Sequence, residues 1–234
     1  MRIFSGLLEA HKEIERDLFE VGVWISGYSY QDKVVEGDTG FDFMELSPYV
    51  YSLTNWEDKN KLISLLGLSR DWLIEEFAER ISGQKCNPGE AWKHRREVWE
   101  QFIDPQTEQF AYTYAERFTE MQQLHRIASE LRAHPQTRQA IIGVHDHVWD
   151  ILKLGAHGRI PCSMFYQFMI RDGNLNLHYV MRSCDFHTHW VYDALLAIRL
   201  LEWMGIQINV PVGIFTHLIT SLHGFRKNFG SEVF

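Results

Sequence analysis

PCSMFYQFMIRDGNLNLHYVMRSCD, residues 161–185, carries the clearest structural signal in this 234-residue chain. Two runs rich in aromatic and aliphatic side chains flank Asp172 and Gly173. An Asp-Gly pair between two such runs is a strong indication of a tight β-hairpin, since both residues tolerate the positive φ angles of the turn. The stretch therefore predicts two antiparallel strands over 163–183.

Outward from the hairpin, helical and strand-like segments alternate without a regular repeat. Apolar periodicity predicts helices over 4–20, 56–83, 90–102, 115–133 and 190–205, the last capped by Gly205. Strands are expected within 21–53, over 140–146, and as a pair around Pro211, Val212 and Gly213. The sequence therefore predicts an α+β fold, a mixed β-sheet with flanking helices, in a single domain over residues 1–234.

Composition and charge exclude several classes of function. The formal net charge of −8 offers no broad positive surface to nucleic acid, although a few arginines can still bind a small anion. No apolar run reaches the length of a membrane span, and the N-terminus resembles an amphipathic helix, not a secretion signal. We therefore expect no nucleic acid, no membrane and a cytoplasmic location.

The cysteines and histidines do not predict a metal site. Cys86, Cys162 and Cys184 are odd in number and show no CxxC spacing, which argues against a disulfide framework or structural zinc. His187 and His189 lie close to Cys184, but no second cluster supplies the further ligands that zinc requires. We expect no metal, and the two histidines are interpreted as polar loop residues.

Two features of the hairpin allow more than one interpretation. Cys162 follows Pro161 where a loop meets a strand, so it is either a nucleophile whose thiolate neighbouring cations stabilise, or a small buried side chain. Arg182 and Ser183 end the second strand, where they could bind a phosphate or form a surface ion pair. Neither feature decides the function alone.

Taken together, these residues resemble the thymidylate synthase superfamily. The resemblance covers 161–225: Pro-Cys opens a strand, Gln167 follows, Arg-Ser-x-Asp ends the hairpin, and SLHGF (221–225) supplies a histidine. Upstream, EFAERISG (76–83) resembles the family's glutamate-bearing helix. YTYAERF (112–118) resembles its Tyr-Gly-x-x-Trp turn, and HPQTRQA (134–140) its Asp-Pro-x-Ser-Arg-Arg stretch. No counterpart of the family's N-terminal phosphate-binding arginine is found within 1–60.

The resemblance implies a role for each matched residue. Cys162 would attack C6 of a pyrimidine nucleoside monophosphate, and Glu76 would organise water and proton transfers. The implied substrate contacts are Gln167, Asp193, His223 near the sugar, Arg182 and Ser183 at the 5′-phosphate, and Arg138 reaching the phosphate from a partner subunit. Asp185 would contact the pterin of 5,10-methylenetetrahydrofolate. The family also implies a homodimer with shared active sites.

Asp193 indicates which base is used. Thymidylate synthases have asparagine at this position, whereas the superfamily's deoxycytidylate hydroxymethylases have aspartate. Uracil offers an N3–H donor and an O4 acceptor, which an amide complements, but cytosine offers an N4 donor and a bare N3, which a carboxylate able to share a proton complements. The alternative is a charge favoured at a helix N-terminus. We expect conversion of dCMP or CMP to its 5-hydroxymethyl derivative.

Several departures from the family pattern leave other functions open. Phe225 replaces a tyrosine that contacts the 3′-hydroxyl, so the choice between ribose and deoxyribose stays open. Ser163 replaces the histidine after the nucleophile, and residues 189–191 replace Gly-x-Pro. A short tail after Phe225 leads us to expect little lid over the site, which favours water addition over hydride transfer. The alternatives are a cytidylate C5-methyltransferase and a non-catalytic nucleotide-binding protein.

Overall fold

The computed structural model of the chain describes residues 1–30, 33–154 and 158–229. The α-helices in these ranges are α1 (Leu7–Val21), α2 (Lys59–Leu65), α3 (Arg70–Ile81), α4 (Arg96–Trp99), α5 (Tyr114–Thr119), α6 (Gln123–Ala133) and α7 (Val191–Ile208). The strands are β1 (Arg2–Phe4), β2 (Val23–Ile25), β3 (Ser29–Tyr30), β4 (Lys33–Val34), β5 (Phe43–Leu46), β6 (Tyr49–Leu53), β7 (Ile141–Gly143), β8 (Ser163–Arg171), β9 (Asn174–Met181), β10 (Cys184–Asp185), β11 (Val212–Ile219) and β12 (Leu222–Phe225). The predicted α+β class is confirmed.

The largest sheet contains six strands in the order β1-β6-β11-β9-β8-β7. It is mixed, because β1 runs parallel to β6 and β9 parallel to β11, while the remaining neighbours are antiparallel. A four-stranded sheet, β10-β12-β5-β2, and a short β3–β4 pair complete the strand pairing. The sequence predicted the mixed sheet, and the structure adds the second sheet that brings β10 beside β12.

The predicted hairpin is present as β8 and β9. Asp172 and Gly173 have φ angles of 52° and 76°, the positive pair that a two-residue hairpin turn of this type requires. Along β9, every second side chain is buried: Leu175, Leu177, Tyr179 and Met181. This alternation fixes the register of the sheet, since a slip by one residue would turn the apolar side chains outward.

Helix α7 covers the buried face of the sheet and ends later than the sequence predicted. It packs against β9 and β11 of the sheet and against α3 and α6. Gly205 is not its cap, because Met204 and Ile208 continue the buried helical stripe. The helix ends instead at Asn209, whose φ of 56° is left-handed and whose neighbour Val210 donates its N–H to the Gly205 carbonyl.

The C-terminal strands also differ from the prediction. The pair expected around Pro211–Gly213 is wrong, because residues before Asn209 belong to α7 and the first strand begins at Val212. The alternation in IQINV imitates a strand, but its two isoleucines stay on the helix. The second strand follows a turn at 220–221. The predicted helix over 115–133 is likewise divided, since Met121 and Gln122 adopt positive φ angles between α5 and α6.

The C-terminal tail and the apolarity of the helices bear on two expectations from the sequence: little lid over the site, and no membrane span. The short C-terminal tail includes residues 230–234, which lie outside the described residues. Within the ranges that are described, no helix combines the length and the apolarity that crossing a bilayer demands.

Candidate active site

A cavity of about 310 Å³ lies where α3, the start of β8, the end of β9 and the β10–α7 junction meet. Its size is at the lower end of the range for pockets that hold small ligands. Seven of the nine predicted site residues line it: Glu76, Cys162, Arg182, Ser183, Asp185, Asp193 and His223. Residues that are far apart in the sequence therefore share one enclosed space.

The hairpin places the cysteine beside the arginine. Ser163, the first residue of β8, pairs with Met181, the last residue of β9. The next residues outward on each strand are therefore neighbours, and the Arg182 N–H donates to the Cys162 carbonyl at 2.8 Å. The twenty-residue separation of Cys162 and Arg182 follows from two strands of matched length joined by a tight turn.

The Arg182 side chain fixes the segment that precedes the cysteine. Its Nε donates to the Pro161 carbonyl at 3.0 Å and its Nη2 to the Ile160 carbonyl at 2.9 Å. The side chain is otherwise exposed at the mouth of the cavity. A guanidinium held in this way can present its remaining donors to an incoming anion.

Burial dominates the acidity of the Cys162 thiol. The pKa of Cys162 is raised above its ordinary value because burial disfavours the thiolate, and the nearby Arg182 and Arg159 cations offset only part of this effect. The expected effect of neighbouring cations on the thiolate is present, but burial outweighs it. The thiol is protonated at neutral pH, so a nucleophilic role requires its proton to leave during the reaction.

The second sheet aligns Asp185 with His223. Strand β10 pairs in parallel with β12, and Asp185 lies opposite His223 in that register. The Asp185 carboxylate accepts the backbone N–H groups of His187 at 3.1 Å and Thr188 at 3.3 Å. These bonds begin a π-helical turn, Phe186–Trp190, that leads directly into α7. The buried carboxylate is thereby held at the cavity wall.

Asp193 lies in the first turn of α7 and faces the same cavity. Its Oδ2 is 3.9 Å from the Sγ of Cys184, so Cys184 contacts a site residue although the sequence suggested no role for it. The pKa of Asp193 is raised to about 6, because burial of the carboxyl group outweighs the attraction of Arg80 and Arg95. Near neutral pH this side chain can therefore both hold and release a proton.

The raised pKa makes ionised Asp193 a cost to folding at neutral pH. An unfolded aspartate has a pKa of about 4, so the folded chain binds the proton more tightly and its stability falls as the pH rises from about 4 through about 6. We expect Asp193→Asn to raise the free energy of unfolding by about 2 kcal/mol near pH 7.5, and the gain to disappear near pH 4. Urea denaturation at both pH values measures the difference.

Asp71 provides the matched control for this measurement. It is also an aspartate in the first turn of a helix, but it is exposed on α3. We expect Asp71→Asn to give no pH-dependent gain. A gain from Asp193→Asn that is equal at both pH values would show that packing, and not ionisation, stabilises the variant.

Glu76 belongs to a network that reaches the strand of the cysteine. Its Oε1 accepts from the Arg80 Nε at 2.8 Å, and the Arg80 guanidinium lies 3.9 Å from the centre of the Tyr114 ring. The Tyr114 hydroxyl is 2.8 Å from the Ser163 Oγ, which is 2.5 Å from the Tyr179 hydroxyl. Ser163 thus joins the pocket wall to the sheet. Only the i,i+4 spacing of Glu76 and Arg80 signals this network in the sequence.

Arg159 lines the cavity together with Arg80 and Arg182, and the sequence did not indicate it. It lines the cavity with 6% of its surface exposed. Its guanidinium carbon lies 4.3 Å from the ring centre of Phe102, 5.4 Å from that of Trp99 and 5.5 Å from that of Tyr112. Its position three residues before Cys162 is the only sequence signal that could have indicated it.

Gln167 and Arg138 lie outside the cavity. The outward face of the large sheet carries a row formed by Ile3, Ser52, Thr216, His178, Gln167 and Ile141. The Gln167 amide on this face donates to the Arg138 carbonyl at 2.9 Å, and the Arg138 side chain is exposed. Strand alternation turns Gln167 away from the buried face, and its contact with substrate stays a prediction.

The two prominent histidines have separate surroundings. His187 packs edge-on against Phe229 at 4.7 Å, whereas His189 lines the cavity beside Trp99 at 5.7 Å. Burial lowers the pKa of His189 to about 4, so its imidazole is neutral at pH 7. Among the residues that the structure describes, no group of three or more His, Cys, Asp or Glu side chains is placed to hold a metal ion.

The chain is similar in sequence to known proteins of one family. A family model described as Thymidylate synthase matches residues 48–231. A Bacillus phage SP01 protein named deoxyuridylate hydroxymethyltransferase is 29% identical over 119 residues, which is 50% of this chain and 30% of that protein. A putative thymidylate synthase of Methanothermobacter thermautotrophicus is 29% identical over 133 residues, 56% of this chain and 58% of that protein. The chain matches less than two thirds of the length of either relative.

Solved structures show the same fold at low sequence identity. Thymidylate synthase from T4 phage superposes with a TM-score of 0.68 and 18% identity, over 94% of this chain and 77% of the phage enzyme. Thermostable thymidylate synthase A from Bacillus subtilis gives a TM-score of 0.69 and 13% identity, over 94% and 80% of the two chains. At these identities the likeness shows the fold and does not identify the substrate. An argument about the substrate therefore depends on the residues that line the cavity.

Proposed function

The chain belongs to the thymidylate synthase family, and from this membership we propose that its cavity converts dCMP or CMP to the 5-hydroxymethyl nucleotide, using 5,10-methylenetetrahydrofolate as the one-carbon donor. We also propose that residues 1–234 form a single domain. The observation that carries it is the Asp193 carboxyl group, which lines the cavity together with Cys162 and has a pKa of about 6.

Cys162 is the proposed nucleophile. Its sulfur bonds to C6 of the pyrimidine, and the electron pair of the C5–C6 double bond moves to C5, which then bonds to the one-carbon unit. The bond between that carbon and the folate nitrogen breaks as tetrahydrofolate leaves, and the C5 proton passes to solvent through water held by Glu76. Water supplies the new hydroxyl group, and the bond between the sulfur and C6 breaks to release the product and Cys162. Arg182 and Ser183 at the cavity mouth bind the 5′-phosphate, and His223 lies beside the sugar.

Asp193 is the proposed reader of the base. A carboxyl group accepts a hydrogen bond from the cytosine N4 amino group and shares a proton with N3. A pKa of about 6 for Asp193 keeps that proton available near neutral pH. Sharing the proton withdraws electrons from the ring, which stabilises the charge that develops at C5 when Cys162 adds. Uracil presents an N3–H and a carbonyl instead, and a carboxylate leaves these groups poorly matched.

The folate site is proposed beside Asp185. The cavity is lined by the buried Asp185 carboxylate and by the Trp99, Trp92 and Tyr112 side chains, and this combination suits a planar ring with hydrogen-bond donors along one edge. The donor, when bound, supplies carbon at the oxidation level of formaldehyde. The phage relative named as a hydroxymethyltransferase supports water as the final reactant. Nucleotides and reduced folates are cytoplasmic metabolites, and we propose that location.

A homodimer with shared sites is the proposed assembly. The outward face of the large sheet exposes apolar side chains, among them Ile3 at 65%, Ile141 at 43% and Ile214 at 44%. Such a face is typical of a surface that a second subunit covers. Arg138 and Gln167 lie on this side, where Arg138 can reach a partner's phosphate site and Gln167 holds its backbone.

Mixing two inactive subunits tests this arrangement. If Arg138 acts across the dimer, a chain with Cys162→Ala and a chain with Arg138→Ala form mixed dimers with one intact site. We expect co-expressed chains to recover about a quarter of wild-type activity, because about half of the dimers are mixed and each has one working site of two. A monomer in solution, or no recovery from mixed dimers that are shown to form, would contradict the shared site.

The function itself is tested by product analysis. The chain is incubated with methylenetetrahydrofolate and dCMP, CMP or dUMP in parallel, and each product is identified by mass. We expect a hydroxymethyl cytidylate without formation of dihydrofolate. Dihydrofolate, visible by its absorbance, would indicate methyl transfer instead, and turnover of dUMP but not of either cytidylate would refute the proposed role of Asp193.

A further inference from the structure

Ser163 connects two tyrosine hydroxyl groups and is itself completely buried. Its Oγ lies 2.5 Å from the Tyr179 hydroxyl and 2.8 Å from the Tyr114 hydroxyl. The Tyr179 ring is also fully buried, and it stacks on Tyr166 at 4.2 Å and on His217 at 4.6 Å, which lie on the two neighbouring strands. Tyr114 is only partly buried and lines the cavity. The three hydroxyl groups therefore form a hydroxyl chain, Tyr179–Ser163–Tyr114, that leads from the core to the cavity wall.

Burial at one end determines the direction of these hydrogen bonds. Each hydroxyl has a proton to donate, and a proton left unpaired in the core is costly. Among the residues that the structure describes, the Tyr179 hydroxyl has no hydrogen-bond partner other than Ser163, so Tyr179 donates to Ser163. Ser163 then donates to Tyr114. Only this order pairs both buried protons, and it leaves the Tyr114 proton to point into the cavity.

Arg80 brings the Tyr114 donor near the Glu76 carboxylate. The Arg80 Nε donates to the Glu76 Oε1 at 2.8 Å, and its guanidinium carbon lies 3.9 Å from the centre of the Tyr114 ring. Both Glu76 and Tyr114 line the cavity. Burial raises the pKa of Tyr114 well above its ordinary value, so the hydroxyl keeps its proton at neutral pH. This part of the wall therefore offers a donor and an acceptor.

A water molecule suits this pair better than a group of the base does. Water can accept from Tyr114 and donate to Glu76, and a lone pair of its oxygen stays available to form a bond. A carbonyl oxygen of the pyrimidine would be repelled by the Glu76 carboxylate. The cytosine amino group is a donor, and it cannot accept from Tyr114.

We propose that Ser163 and Tyr179 are positioning residues that hold the Tyr114 hydroxyl as a donor to the water that forms the new hydroxyl group; this inference rests on the function proposed above. After tetrahydrofolate has left, the ring carries an exocyclic methylene group at C5. The water oxygen bonds to this carbon, the electron pair of the double bond moves into the ring, and a water proton passes to Glu76. Loss of the Cys162 sulfur from C6 then restores the C5–C6 double bond.

A single-turnover experiment separates the addition of water from the earlier steps. Protein in excess over 5-tritiated dCMP is mixed with methylenetetrahydrofolate, and tritium release and hydroxymethyl product are followed in the same samples. The variants are Ser163→Ala, Tyr179→Phe, the double substitution of these two residues, and Tyr114→Phe. Thermal melts establish that each variant is folded.

Tyr166 provides the matched control. It is a buried tyrosine on the strand beside Tyr179, and its hydroxyl has no hydrogen-bond partner among the described residues. Tyr166→Phe removes a phenol hydroxyl from the same part of the core without breaking the hydroxyl chain. We expect it to leave both rates unchanged.

For Ser163→Ala and Tyr179→Phe, we expect tritium release close to the wild-type rate and product formation about tenfold slower, because the water has lost an oriented donor. A covalent adduct of protein and nucleotide should accumulate in the interval and be visible by mass. Tyr114→Phe should be at least as slow in forming product. The double substitution should be no slower than the slower single variant, since both residues act through Tyr114.

Three results would overturn the inference while the proposed function stands. The first is product formation at the wild-type rate in folded Ser163→Ala and Tyr179→Phe. The second is equal slowing of tritium release and product formation, which would show that the hydroxyl chain positions Cys162 or the base. The third is equal slowing by Tyr166→Phe, which would show an effect of packing. A wild-type chain that forms no hydroxymethyl product would refute the proposed function, and the inference with it.

Discussion

Cys162→Ala should abolish the release of tritium from 5-tritiated dCMP, with a loss on the order of 10⁴-fold or more. The proton at C5 is lost only after the ring has become electron-rich, and the addition of the Cys162 sulfur at C6 is the step that achieves this. Alanine has no group that can form the bond. Release of tritium into water measures this step alone, so the result does not depend on whether a hydroxymethyl or a methyl group is finally transferred.

Cys86 provides the control for this variant. Its side chain does not line the cavity, and we expect Cys86→Ala to release tritium at the wild-type rate. Retained dCMP binding by Cys162→Ala would show that the site is intact. The raised pKa of Cys162 adds a pH dependence, since the rate should increase from neutral to alkaline pH as the thiolate fraction grows. Tritium release by folded Cys162→Ala would remove Cys162 from the mechanism.

The fold was most predictable where local chemistry and long-range packing agree. Asp172 and Gly173 determine a tight turn, and the strands on either side alternate in the way that one buried face requires. The prediction failed at 206–210, where an alternating pattern suggested a strand. There the stripe that ends at Ile208 keeps the segment helical, and only contacts with the sheet reveal that Ile208 faces the core.

The site was most predictable where residues match the family pattern in unbroken order, and Glu76 is the one lining residue predicted from the looser upstream match. Cys162, Arg182 and Asp193 lie within one such run, and the structure gathers them at one cavity. Tyr114 contacts Ser163 and Arg80, which are distant from it in sequence, and the only local signal for Arg159 is its position three residues before Cys162. The net acidity of Cys162 was not predictable for a related reason, because the sequence shows nearby cations but not the extent of burial that outweighs them.

Gln167 shows how sheet geometry can separate a motif residue from its expected ligand. It is four residues from Ser163, a spacing that would place both side chains on one face of a regular strand, but the irregularity between Ser163 and Phe165 shifts the register, so Gln167 pairs with His178 on the outward face. Gln167 is accordingly not among the residues that line the cavity. Its hydrogen bond to the Arg138 carbonyl connects it instead to the residue that we expect to act across a dimer.

Asp193→Asn should switch the base preference of the protein from cytosine to uracil. The amide presents one acceptor and one donor, which match the N3–H and O4 of uracil, and it can no longer share a proton with cytosine N3. We expect kcat/KM for dCMP to fall and kcat/KM for dUMP to rise, with the ratio of the two changing by roughly 10⁴-fold. Parallel kinetics with the two nucleotides measure that ratio directly.

Asp71→Asn is again the matched control and should leave the ratio unchanged, because Asp71 is exposed and lies outside the cavity.

The Asp193 variant also separates base recognition from simple damage to the active site. Damage would lower the turnover of both nucleotides, whereas base recognition by Asp193 requires that turnover of dUMP increase, and such an increase cannot arise from misfolding. Equal losses with both bases in a variant that melts at or above the wild-type temperature would show that Asp193 supports the reaction without reading the base. Because the variant also removes a carboxylate that is costly to bury, it should be the more stable protein near pH 7.5 while its preference is reversed.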